Sequence, residues 1–220
     1  MGWLLESVDV GLLVVIAMVF MLFCAPSSSR ADGTIVDEWA DVTVPPAPKL
    51  SEVSVSAGEC ALLILDIQNQ NCNAERRPRC VASLRPITEL LGNCRAKDMT
   101  VVYTLTSNAT PQDIRGELTP RPGDPVVKAS VDKFHGTELE QILNAKQIKT
   151  VILVGTSAHG AVLHTATGAA MRGLQVVVPV DGMSATEPYA EQYTAWHLAN
   201  SPGTRRRAVL TKTSMIKIQQ

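Results

Sequence analysis

From residue 61 to residue 212 the chain alternates short, unbroken apolar runs with longer stretches of mixed polarity. ALLILD (61–66), TVVYTL (100–105), TVILVG (150–155) and LQVVVPVD (174–181) are each about one strand long. Runs this apolar suit strands buried on both faces. PVVK (125–128) and RAVLTK (207–212) add two shorter candidates. The stretches between them read as helices, roughly 83–97, 137–146, 159–172 and 187–200, with Gly173 as a stop after the third. Strand and helix in alternation predict a parallel sheet covered on both sides: a three-layer α/β/α sandwich with a mostly parallel, open, Rossmann-like sheet. Ligands in such sheets bind beyond the carboxyl ends of the strands. Asp66, Lys128, the turn 155–160 and Asp181 are therefore the positions where chemistry is expected.

The beginning of the chain follows another pattern. Residues 10–25 are almost wholly Leu, Val, Ile, Met and Phe before giving way to SSSRADG, as in an export signal or a short membrane anchor. The run is shorter than the ~20 residues of a spanning helix, and Ser29, Arg30 and Ala31 offer a cleavage site. Against a standard signal, the first nine residues carry Glu6 and Asp9 and neither Lys nor Arg. The expected division is a signal or anchor at 1–32, an extended arm at 33–57 whose PPAPKL forbids helix, and one domain at 58–220. The expected location is periplasmic or secreted, with any membrane contact made through an uncleaved leader.

Composition narrows the function. With 220 residues, 45% of them hydrophobic, and a formal charge of -1, one substantial core is expected. Three each of Trp, Tyr and Phe give no basic, aromatic-laced surface for nucleic acid. There is no Gly-rich dinucleotide fingerprint, no phosphate loop and no His or carboxylate cluster at metal-ligand spacing, so neither cofactor nor metal is expected. Beyond the leader lie Cys60, Cys72, Cys80 and Cys94. Cys72 and Cys80 bracket NAERRPR and could form a bridge. Cys60 and Cys94 read as small buried hydrophobes.

Asp66 ends the first run in LDIQNQ, and a carboxylate carried to a sheet mouth by a buried strand calls for a partner. Lys128, at the end of PVVK, is the candidate. These pieces resemble the isochorismatase-like hydrolase family. Its strand-end D-x-Q is matched by Asp66-Ile67-Gln68, and its Lys before F-x-x-T-x-L by Lys128 with Phe134, Gly136, Thr137 and Leu139. Its strand, Gly, turn and helix ending in T-A are matched by Gly155 through Thr165 and Ala166. The resemblance spans about 58–212.

One position departs from the pattern. Most of the family carries a nucleophilic Cys at the first turn of that helix, where amides and helix dipole favour a thiolate; here it is Ala161. A smaller branch, the isochorismatases, also lacks the Cys and has an A-H pair before that position, matched by Ala158-His159. That branch hydrolyses a vinyl ether by protonating carbon, which needs no nucleophile. The resemblance thus implies Asp66 as general acid or base with Lys128 and a vacant nucleophile position at Ala161. It also implies a small polar or anionic substrate held by Gln68, Ser157, His159 and Gly160; apart from the resemblance, Arg76, Arg77 and Arg79 of RRPR follow Asp66 on the same loop and could reach over the pocket to clamp a carboxylate, with Arg79 as the expected contact. The resemblance implies a cis peptide between Thr156 and Ser157, and a homo-oligomer. His164 and Trp196 are read as packing residues. Two other functions stay open: a ligand-binding pseudoenzyme, and an amidase using Cys72.

Overall fold

The apolar runs become strands, and the strands pair side by side in one direction. The computed structural model describes residues 33–220; the expected leader lies outside them. Up to Val44 these residues form one unit, with the short helix α1 (Ile35–Glu38) capped by Thr34, whose hydroxyl donates to Asp37 at 2.9 Å. Pro45–Gln220 form the other.

In that second unit β1 (Val53–Ser56) is followed by β2 (Cys60–Leu65), α2 (Pro78–Arg95), β3 (Thr100–Leu105) and β4 (Val126–Lys128). Then come α3 (Leu139–Ala145), β5 (Thr150–Thr156), a π-helical turn (Ala158–Val162) running into α4 (Leu163–Met171), and β6 (Gln175–Pro179). The chain ends with β7 (Met183–Ser184), α5 (Pro188–Asn200), β8 (Ala208–Thr211) and β9 (Ile216–Gln219). The main sheet has the order β4-β3-β2-β5-β6-β8, with β7 pairing the end of β5, and every pairing is parallel. The expected α/β/α sandwich is thus the observed one.

Side chains alternate across a strand, so each apolar run supplies two cores. Ala61, Leu63, Leu65, Leu153 and Val178 pack beneath Leu143, Ala166, Ala169 and Leu198 of α3, α4 and α5. Leu62, Ile64, Val101, Ile152 and Val177 meet Leu84, Ile87, Leu90 and Cys94 of α2 on the other face. This second core also takes in Val55 and Ile216 of a two-stranded parallel sheet, β1 with β9. Helix α2 starts five residues earlier than its apolar spacing suggests, because Pro78 occupies its first turn, where the missing N–H costs nothing. Cys60 and Cys94 are free and buried, as expected of small hydrophobes.

Candidate active site

The central strands β2 and β5 end together, and the site is built on their ends. Gly155 pairs with Leu65 in register at φ +144°, and a Cβ there would lie 2.2 Å from the Leu65 carbonyl oxygen. Only glycine allows this approach. Asp66 follows Leu65 at φ +53°, in the left-handed region that Asp tolerates better than most residues, and is 5% exposed. Its carboxylate accepts from the Thr104 hydroxyl at 2.8 Å and from Lys133 Nζ at 2.6 Å.

Lys133, not Lys128, is therefore the amine that meets Asp66. Lys128 closes the edge strand β4 with its side chain exposed. The chain then turns back, and Lys133 enters from the loop, 1% exposed. Its position is held at three points. Lys133 N–H donates to the Thr165 hydroxyl of α4 at 3.2 Å, Thr137 Oγ1 donates to its carbonyl at 2.5 Å, and Nζ also donates to the Ser130 carbonyl at 2.6 Å. Next to it, Phe134 lies under the Arg172 guanidinium at 4.6 Å. The sequence signal for Lys133 was its place against this anchoring Phe134, whereas the strand-end rule favours Lys128.

Beside the pair opens a cleft of about 330 Å³ lined by Asp66, Asn71, Arg77, Thr106, Ser107, Ala129, Ser130, Val131, Thr156, Ser157, Gly160 and Ala161. Four expected residues lie in this wall: Asp66, Ser157, Gly160 and Ala161. The peptide between Thr156 and Ser157 is cis, as the resemblance implied. A Cβ on Gly160 would sit 2.5 Å from Ser157 Oγ, so glycine leaves room for that hydroxyl. Gln68 is 1% exposed and lies under the cleft: its Oε1 accepts from Asn71 at 3.2 Å and Thr106 at 3.0 Å, so it orients two neighbours, Asn71 and Thr106, of which both line the cleft.

Other expectations are corrected. Arg79 faces away from the cleft and is held in a two-pronged ion pair by Glu191 of α5. Arg77, just before the first turn of α2, reaches the cleft instead, and its Nη1 donates to Thr156 Oγ1 at 2.7 Å. Burial, and secondarily the charge of Arg76, lowers the Arg77 guanidinium from its ordinary value. His159 is exposed and outside the lining, because the π-helical turn directs Gly160 and Ala161 inward. His164 and Trp196 are exposed rather than packed. Asp181 is structural, accepting from Thr213 N–H and Oγ1, both at 2.9 Å. Cys72 is bonded to Cys80 with Cα atoms 5.2 Å apart and offers no thiol. Among the described residues no cluster of His, Cys, Asp or Glu could hold a metal ion, and no helix is long and apolar enough to cross a membrane.

Comparison with known proteins places the fold and the family. The secreted isochorismatase effector Isc1 of Verticillium dahliae is 31% identical over 152 residues, covering 64% of this chain and 77% of that protein. The N-carbamoylsarcosine amidase of Thermoplasma acidophilum superposes with a TM-score of 0.61 at 23% identity, over 70% of this chain and 96% of that one. A cysteine hydrolase of Pseudomonas syringae pv. phaseolicola superposes with a TM-score of 0.65 at 18% identity, over 77% of this chain and 95% of that one. Residues 60–212 match the isochorismatase domain, and the chain belongs to the isochorismatase family of hydrolases.

Proposed function

We propose that the chain is a hydrolase that works without an enzyme nucleophile, on a small polar or anionic molecule, with Asp66 as the proton donor and Lys133 as its partner. The observation that carries this reading is the buried Asp66–Lys133 pair at 2.6 Å, opening onto a cleft whose lining contains no cysteine. Such a pair suits proton transfer to a vinyl ether. Lys133 Nζ passes its proton to the Asp66 carboxylate, which delivers it to the terminal methylene carbon. Water adds to the resulting oxocarbenium carbon and returns a proton to the pair. The adduct then collapses to a carbonyl compound and an alcohol, with one water consumed. In this reading Ala161 leaves space where a thiol would crowd the attacking water, and the Ser157 hydroxyl is at hand for a substrate oxygen. The secreted relative supports an exported site of action.

The test is a turnover screen of small vinyl ethers, amides and ureas. Vinyl ether hydrolysis should survive exhaustive thiol alkylation and fall about 10²–10⁴-fold in Asp66→Asn, the range expected for loss of a general acid. Loss of activity on alkylation, or an Asp66→Asn enzyme with the wild-type rate, would refute the mechanism. Saturable binding of every compound without turnover would instead identify a ligand-binding pseudoenzyme.

A further inference from the structure

We infer that Arg77 is a specificity-determining anchor for a carboxylate on the substrate. The assignment rests on reading the cleft as the reaction site. Asp66 and Arg77 are the two charged side chains among its lining residues. Asp66 is already neutralised by Lys133, which leaves the cleft with one uncompensated positive charge. Arg77 forms no ion pair with any described carboxylate, whereas its neighbour Arg79 is matched to Glu191.

Structural duty does not account for Arg77. The side chain is partly buried and its Nε is shielded from solvent with no hydrogen-bond partner, an arrangement that costs stability. The residue also sits at the N-terminal end of an 18-residue helix, where the helix dipole disfavours a cation. Its one side-chain hydrogen bond among the described residues, from Nη1 to Thr156 Oγ1, holds the guanidinium beside the Thr156–Ser157 turn. Among the described residues Nη2 has no hydrogen-bond partner, and the side chain lines the cleft. A partly buried guanidinium tethered by one hydrogen bond is well fitted to a planar anion, since it offers parallel N–H donors at carboxylate spacing. Ser107, Ser130 and Ser157 supply hydroxyls around it, and Ala129, Val131 and Ala161 an apolar wall. The ligand these surfaces fit is a small monocarboxylate with an uncharged, partly apolar body.

The test compares O-methyl-lactate with its methyl ester. The acid is a saturated ether that the proposed reaction cannot turn over, so binding is read apart from catalysis. Dissociation constants come from NMR titration of the full chain. The acid should bind about tenfold more tightly than the ester, the effect of one charge-assisted contact. That preference should vanish in Arg77→Gln and persist in Arg79→Gln. In the wild-type protein the Arg77 Nε–H resonance should shift with the acid and stay still with the ester, a readout that needs no variant to fold. Equal affinity for acid and ester, no saturable binding of the acid, an unmoved Arg77 resonance, or an undiminished acid preference in Arg77→Gln would overturn the assignment. An acid preference without vinyl ether turnover would leave the anchor standing and the catalytic reading refuted; turnover without that preference would do the reverse.

Discussion

Replacing Lys133 by Met removes the charge that holds Asp66. The two side chains are 1% and 8% exposed, so the solvent screening that makes surface ion pairs worth little does not apply. Breaking a buried pair from one side costs about 3–5 kcal/mol, because the remaining charge is left uncompensated. The Ser130 carbonyl loses its donor as well. For a domain of this size, that corresponds to a fall in Tm of about 6–20 °C. Lys128→Met is the control: its side chain is exposed and pairs with no carboxylate among the described residues, and its effect should stay within about 0.5 kcal/mol. Urea unfolding of wild type, Lys133→Met, Asp66→Asn and the double variant closes a thermodynamic cycle. The double variant should be less destabilised than the sum of the singles, since it retains neither lone charge. Additive effects, or a Lys128→Met loss equal to that of Lys133→Met, would refute the pairing.

Three further outcomes follow from the packing. Gly155→Ala should cost at least about 3 kcal/mol in chemical unfolding, because the new methyl meets the Leu65 carbonyl oxygen at 2.2 Å and the backbone stays at φ +144°; a smaller loss would mean that β2 and β5 can separate beneath Asp66. Reducing Cys72–Cys80, which closes a short loop of sequence separation 8, should lower stability by about 2–3 kcal/mol, read as a shift in the urea midpoint with and without reductant. Burial pushes the Cys60 and Cys94 thiols up to about 12 from the ordinary 9.0. The unfolded chain therefore releases these protons first, so their contribution to stability is whole below about pH 9 and is lost as pH climbs towards 12. A Cys60→Ala/Cys94→Ala protein should show a flatter fall in Tm across that window.

Legibility in the sequence followed the strength of the local signal. The central strands lie where their apolar runs lie, β3 at the same residues, because burial on both faces tolerates no polar interruption. β1 and β9 escaped notice because VSVS and IKIQ are four-residue alternating patterns, meaningful only once they pair across more than 150 residues. Asp66 was visible because a buried strand delivers it. Lys133 was not, since its burial depends on Thr165 and Thr137, contacts that no strand-end rule contains. The exchange of Arg79 for Arg77 has a similar cause: with α2 beginning at Pro78 rather than near residue 83, the helix turns Arg79 towards Glu191 and leaves Arg77 on the cleft side.

The bond from Lys133 to Thr165 has a temporal meaning. Asp66 is made early, its amine 67 residues later, and the hydroxyl that seats that amine a further 32 residues on. A growing chain that has not yet reached Thr165 carries both members of the pair but lacks one of the three bonds that seat the lysine. The site would then be complete only in the last third of synthesis, when the helix bearing Thr165 docks behind the lysine.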